Sequence, residues 1–255
     1  MIDTHVHLYD QAYDADRDKV VARAKEAGVS RCILPAIDQD TYHAMEACLK
    51  SYPGWCYKTT GVHPGSVDGE YKAALDFARS HTADAIAIGE VGLDFYRSEE
   101  YKKEQITALE EQIQWAKELN LPLIIHSRSA FPELLATLKK CSFPGMRGTL
   151  HAWSGGKDIF TEANRYGRFY IGIGGVLTFR NARLAEVVKE TNLNQIVLET
   201  DAPWLAPEPF RGKRNESAYL VHIVEKLAEI KNTDKKQIVA VTTQNALSLF
   251  FSKSL

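Results

Sequence analysis

The chain has 255 residues, with 31 Lys plus Arg against 33 Asp plus Glu and a formal net charge of −2. That length suits one large domain such as an eight-stranded α/β barrel, and the even balance excludes a general attraction to nucleic acid, so phosphate recognition has to be local. The cysteines Cys32, Cys48, Cys56 and Cys141 form no CxxC pair, which argues against a zinc ribbon or disulfide scaffold and for a reducing compartment. No signal-peptide pattern opens the chain and no apolar run approaches ~18 residues, so a cytoplasmic protein without a membrane span is expected.

The first seven residues, MIDTHVH, read as a strand in which His5 and His7 share one face. A helix is predicted over 14–27 from the spacing of Val20, Val21, Ala24 and Ala27, with Gly28 as its C-cap. Strands follow at 31–37 and 56–62, separated by a helix over 40–52, and His63-Pro64-Gly65 marks a loop. A helix over 70–81 leads to a strand over 85–90. The clearest helix covers 101–119, with Ile106, Leu109, Ile113 and Ala116 on one stripe and Asn120 and Pro122 ending it. Then come a strand at 123–126, a helix at 131–140, a strand at 147–151, a Gly155-Gly156 turn and a helix to 166. Strands at 169–173 and 195–200 flank a helix over 181–191, and helices near 216–231 and 234–251 finish the chain.

Strands and helices alternate throughout, and the strands are continuous apolar runs suited to burial on both faces. The expected architecture is a single α/β domain over 1–255, a (β/α)8 TIM barrel with an additional C-terminal helix. A doubly wound open sheet is the alternative.

In a barrel, catalytic groups sit where strands give way to the following loops. Those strand ends carry His5 and His7, Glu90, His126, His151 and Asp201. Alternation places Ile86, Ile88 and Glu90 on one face, as it does Ile124 with His126, and Val197 with Glu199 and Asp201. Several imidazoles and two carboxylates gathered in a low-dielectric mouth are costly without cations. Six ligands exceed one tetrahedral site and point to two divalent ions, with Glu90 as the bridge. The donor set suits Zn, Mn, Fe or Co, and Mg less well. Such an ion lowers the pKa of a water from ~15.7 towards ~7, and Asp201 is the candidate general base. Asp3 and Glu199, one alternate position below the ligands, are candidate supports for them, or else simply buried beside Lys or Arg.

The segments DTHVHLYD, GVHPG, IGEVGLDFYR, PLIIHSR, HAWSGG, IGIGGVLTF, LETDAPWLAP and RGKRNES, in this order, resemble the TatD family of metal-dependent hydrolases over essentially the whole chain. The resemblance implies an amidohydrolase-type barrel and metal roles for His5, His7, Glu90, His126, His151 and Asp201. It further implies that His63 lies near substrate, in a family that includes enzymes degrading DNA from the 3′ end. Two departures stand out: Trp153 replaces the usual Phe of HxFSG, and Ser217 replaces the usual Pro of GKRNEP. The first is expected to change how a base or leaving group stacks, the second to touch only a helix start.

The ligands alone do not choose between phosphorus and a carbonyl. Arg128 two residues beyond His126, Arg97 after Glu90, and Arg211, Lys213 and Arg214 after the eighth strand favour phosphorus. Tyr96, Trp153 and Trp204 occupy the same loops, where each could stack a base at ~1–3 kcal/mol or simply pack the core. The expected activity is that of a phosphodiesterase, a 3′–5′ exodeoxyribonuclease taking DNA ends or single strands, with no membrane and no obligate protein partner. The alternatives are hydrolysis of an ester, lactone or aminoacyl carbonyl, and a non-catalytic metal- or nucleic-acid-binding scaffold. Other machinery is poorly supported: Ser154 in AWSGG lacks the first Gly of GxSxG, and Gly172-Ile173-Gly174-Gly175 fails GxGxxG.

Overall fold

Buried strands alternate with helices through the computed structural model, which describes residues 1–252. In chain order the elements are β1 (Ile2–Asp3), α1 (Arg17–Glu26), β2 (Arg31–Leu34), α2 (Gln39–Ser51), β3 (Cys56–Lys58) and α3 (Tyr71–Ser80). Next come β4 (Ile88–Asp94), α4 (Lys102–Leu119), β5 (Leu123–Arg128), α5 (Phe131–Cys141), β6 (Arg147–Leu150) and α6 (Lys157–Ala163). The chain closes with β7 (Arg168–Ile173), α7 (Leu184–Glu190), β8 (Ile196–Leu198), α8 (Leu220–Lys231) and α9 (Lys235–Phe250). Among the described residues no helix is long and apolar enough to cross a membrane.

Hydrogen bonds join consecutive strands, β1-β2-β3 in one sheet and β4-β5-β6-β7-β8 in the other. The pairing is parallel, as in β4 with β5 and β7 with β8, so a crossover must return the chain each time, and a helix does so. A doubly wound sheet reverses its strand order at a switch point; this order never reverses, so the topology is that of a (β/α)8 barrel with α9 as the extra helix.

Two compact units make up the chain. In the first (Met1–Leu34, Ala44–Tyr57 and the chain from Ile171), the first and eighth strands are linked at their ends. Val6 bridges to Ala202, Thr4 N donates to the Leu198 carbonyl (3.0 Å), and Asp201 N donates to the His5 carbonyl (2.9 Å). The second unit (Pro35–His43 and Lys58–Tyr170) extends the chain beyond β3 alongside β4: Gly89 N donates to the Thr60 carbonyl (2.8 Å).

The predicted elements are all present; β1, β2, β3, β6 and β8 are shorter than expected, while β4, β5 and β7 are longer. β1 is only two residues long, so His5 and His7 lie beyond it. The fourth strand is displaced from 85–90 to Ile88–Asp94 and carries a register shift between Ile88 and Val91. That bulge interrupts the alternation expected through Glu90 and re-aims its side chain. On α4, Leu109, Ile113 and Ala116 are buried as expected, Ile106 is only partly so, and Gln105 and Gln112 are buried beside them. Each glutamine clamps an irregular backbone end. Gln112 Oε1 accepts from Val62 N (2.7 Å), and Gln105 Oε1 accepts from Asp94 N (2.9 Å), since a buried N–H without a partner would cost ~1–3 kcal/mol.

Candidate metal centre

The first unit presents three donors side by side. His5 Nε2 and His7 Nε2 lie 3.1 Å apart, and Asp201 Oδ1 is 3.8 Å from the former and 3.4 Å from the latter. Two nitrogens on a tetrahedral zinc at ~2.0–2.1 Å are separated by roughly 3.3–3.4 Å, so this triangle has the dimensions of one face of a coordination shell. The far side of His7 is fixed, with Nδ1 2.9 Å from the Tyr9 hydroxyl, an outer partner of the kind that orients ligating imidazoles. Asp201 is not placed by alternation. Its φ is 56°, a left-handed conformation that Asp tolerates better than most residues, held by the bond to the His5 carbonyl.

Beneath this triangle Asp3 is completely buried and gathers hydrogen bonds. Oδ1 accepts from Thr200 N (3.0 Å) and His5 N (3.3 Å), and Oδ2 accepts from Thr200 Oγ1 (2.7 Å) and Ser217 Oγ (2.6 Å). Burial pushes the Asp3 carboxyl up to about 7, while the bonds from Ser217 and Thr200 pull it down. Ser217 therefore does more than start a helix; it ties the RGKRNES loop to the first strand. Asn215 completes the brace by donating to the carbonyls of Thr200 (2.9 Å) and Trp204 (2.7 Å). Glu199 is also fully buried, and Gly172 leaves room for it: a Cβ there would overlap the carboxylate.

In the second unit Glu90 is the hub. Its Oε1 lies 2.9 Å from His126 Nδ1, 3.5 Å from His63 Nε2 and 3.8 Å from His151 Nε2. His63, Glu90 and His126 form a group that could hold a cation. His126 also reaches Asp94, with Nε2 3.0 Å from Oδ2. Burial works against its charge, but the carboxylates of Asp94 and Glu90 prevail and hold the imidazolium up to about 9. Gly65 N donates to His63 Nδ1 (2.9 Å); a neutral ring keeping that bond carries its proton on Nε2 and offers it as a hydrogen-bond donor.

The remaining expected residues divide sharply. Arg128 is exposed, with its guanidinium 3.6 Å from the centroid of the Tyr96 ring, itself 61% exposed. Lys213 is exposed, and Arg211 lies over Phe179. Arg214 is instead bound to Asp16 by two bonds of 2.7 and 2.8 Å and to the Ala12 carbonyl. Trp153 is 3% exposed and packs against Phe131 and Phe160, which is the core-packing reading. Trp204 is 47% exposed, its ring 4.9 Å from His7. Sequence reasoning missed Asp94, Tyr9, Gln105 and Gln112. Period-two spacing from Glu90 and His7 reaches Asp94 and Tyr9; nothing marks the two glutamines.

Comparison with known proteins agrees with this donor chemistry. Residues 2–251 match the family described as "TatD related DNase". The uncharacterized metal-dependent hydrolase YabD of Bacillus subtilis is 36% identical over 253 residues, covering 98% of each chain. The 3′–5′ ssDNA/RNA exonuclease TatD of Erwinia tasmaniensis is 33% identical over 259 residues, covering 98% of this chain and 99% of that one. Among solved structures, the TatD homolog YJJV of Escherichia coli superposes with a TM-score of 0.90 at 28% identity, over 99% of this chain and 98% of the other. This barrel of paired imidazoles and carboxylates belongs to the TatD family of metal-dependent hydrolases.

Proposed function

We propose that the protein is a single-domain divalent-metal-dependent phosphodiesterase with a two-ion centre, a 3′–5′ exonuclease acting on the ends of DNA or on single strands. His5, His7, Glu90, His126, His151 and Asp201 would hold the ions, with Glu90 as the central carboxylate; Zn, Mn, Fe and Co suit this donor set better than Mg. When bound, the ions supply Lewis acidity and lower the pKa of the attacking water. Asp201 receives the proton of that water as its oxygen bonds to phosphorus. The bond from phosphorus to the leaving sugar oxygen breaks, and His63 Nε2–H donates to the departing oxygen. Arg128 holds the non-bridging oxygens through its fork of N–H groups, and Lys213 adds a point charge. A cytoplasmic location belongs to the same reading, supported by the free cysteines.

Arg128 carries the choice of phosphorus. Among the described residues it has no ion-pair partner, yet it sits two residues beyond His126 with one face covered by Tyr96. A guanidinium kept out of ion pairs and stiffened by stacking is suited to an incoming anion. The test compares bis-p-nitrophenyl phosphate, single-stranded DNA and simple esters on protein loaded with Zn or Mn. Arg128→Ala should cut kcat/KM on both phosphodiesters by ~10–100-fold, the loss of a charge-assisted bond of ~1.5–3 kcal/mol. Neutral esters turned over faster than either phosphodiester, with Arg128→Ala indifferent, would overturn the reading in favour of carbonyl hydrolysis.

A further inference from the structure

Two adjoining loops of the first unit carry exposed cations, of which Lys213 alone is assigned to the reacting phosphate. The loop after β7 contains Phe179, Arg180 and Arg183; the loop after β8 runs from Trp204 through Glu208 and Arg211 to Lys213. They lie against each other. Glu208 N donates to Thr178 Oγ1 (2.8 Å), a Cβ on Gly175 would overlap the Leu205 carbonyl, and the Arg211 guanidinium is 4.3 Å from the Phe179 ring centroid. Arg180, Arg183, Arg211 and Lys213 are all exposed, and among the described residues none has an ion-pair partner. Glu208 is the one acid between Gly174 and Arg183 or between Trp204 and Lys213, in a chain whose net charge is −2. At the head of the second loop Trp204 offers an exposed ring beside His7.

We propose that this joined surface is a track for single-stranded nucleic acid leading away from the reacting phosphate. Trp204 stacks the base nearest His7, and the four cations neutralise successive phosphates. An exposed aromatic at the head of a basic strip suits a single strand, whose base faces are open, better than a duplex, whose bases are already stacked. The inference rests on the phosphodiester reading for its occupant, and the two can fail separately.

The experiment is binding of a fluorescein-labelled single-stranded 12-mer to the inactive Asp201→Asn protein, followed by anisotropy between 50 and 200 mM salt. Each phosphate neutralised on a single strand contributes a slope of ~−0.7 in log K against log salt. Replacing all four cations (R180Q, R183Q, R211Q and K213Q) should therefore make the slope shallower by about 2.8, or ~50-fold less affinity lost over that range. Trp204→Ala should weaken binding by at least ~5-fold at every salt concentration, the lower end of what one stacked base contributes. Circular dichroism of both variants checks that they are folded. An unchanged slope in the fourfold variant overturns the track. So does heparin, a duplex 12-mer or an anionic phospholipid vesicle that binds as tightly with the same loss in the variant. If the active protein cleaves no phosphodiester while the slope still changes as expected, the hydrolytic reading falls and the track stands.

Discussion

Removing the Ser217 hydroxyl tests whether the brace beneath the metal-ligand triangle matters. Ser217→Ala deletes the 2.6 Å bond to Asp3 Oδ2 and leaves that oxygen with Thr200 Oγ1 alone at 2.7 Å. A buried bond to a charged acceptor contributes ~1.5–3 kcal/mol, and for a chain of this size each kcal/mol moves Tm by roughly 2–4 °C. Metal-free protein should therefore lose ~3–12 °C at pH 8. The pH dependence separates this from loosened packing. Burial raises the Asp3 carboxyl to about 7 in the folded protein, above the ~3.9 of an unfolded chain. Its ionisation therefore costs stability progressively as pH rises from ~4 to 7. Without Ser217 the folded value rises further, so the gap between variant and wild type should widen above pH 7. At pH 5 the carboxyl is protonated in both, and the lost bond is an ordinary neutral one contributing ~0.5–1.5 kcal/mol. Differential scanning calorimetry at pH 5 and pH 8 measures both gaps. Equal gaps at the two pH values, or none at either, would refute the assignment of Ser217 to the Asp3 network.

Three further outcomes follow from the same geometry. Asp94→Asn replaces the carboxylate at His126 Nε2 and should weaken Zn affinity by ~10–100-fold in chelator competition, whereas unchanged affinity would remove Asp94 from the centre. The imidazolium of His126 is held up to about 9 in the folded protein, so its contribution to the metal-free fold is complete below ~6.5 and lost as pH rises through 9; a bound ion must displace that proton, so zinc titrations should show affinity rising with pH across the same window, and a flat profile would contradict it. Gly172→Ala places a Cβ against the Glu199 carboxylate and should destabilise by ~1–3 kcal/mol in urea unfolding, with a neutral result showing that Glu199 can retreat.

The barrel was legible because parallel strands buried on both faces leave continuous apolar runs, and each needs a helix to return the chain. Strand ends were less legible. His5 and His7 lie past a two-residue strand, Glu90 sits at a bulge, and Asp201 takes a left-handed conformation. Within the first unit His5, His7 and Asp201 still meet, because backbone bonds such as Asp201 N to the His5 carbonyl position them where alternation does not. The cations could not be sorted from sequence: Arg128, Arg211 and Arg214 look alike there, and only the fold shows Arg214 spent on Asp16. Likewise Trp153 and Trp204 both stand in strand-end loops, but one fills the core and the other faces outward. The reach of Ser217 was hidden for the same reason, since its partner Asp3 lies 214 residues away in the chain.

Anomalous diffraction from crystals of protein stripped with chelator and reloaded with Mn or Zn tests the two-ion centre directly. Two peaks are expected, one within ligand distance of His5, His7 and Asp201 and the other within ligand distance of Glu90, His126 and His151. A single peak away from Glu90, or no peak at any of these side chains, would contradict the two-ion centre.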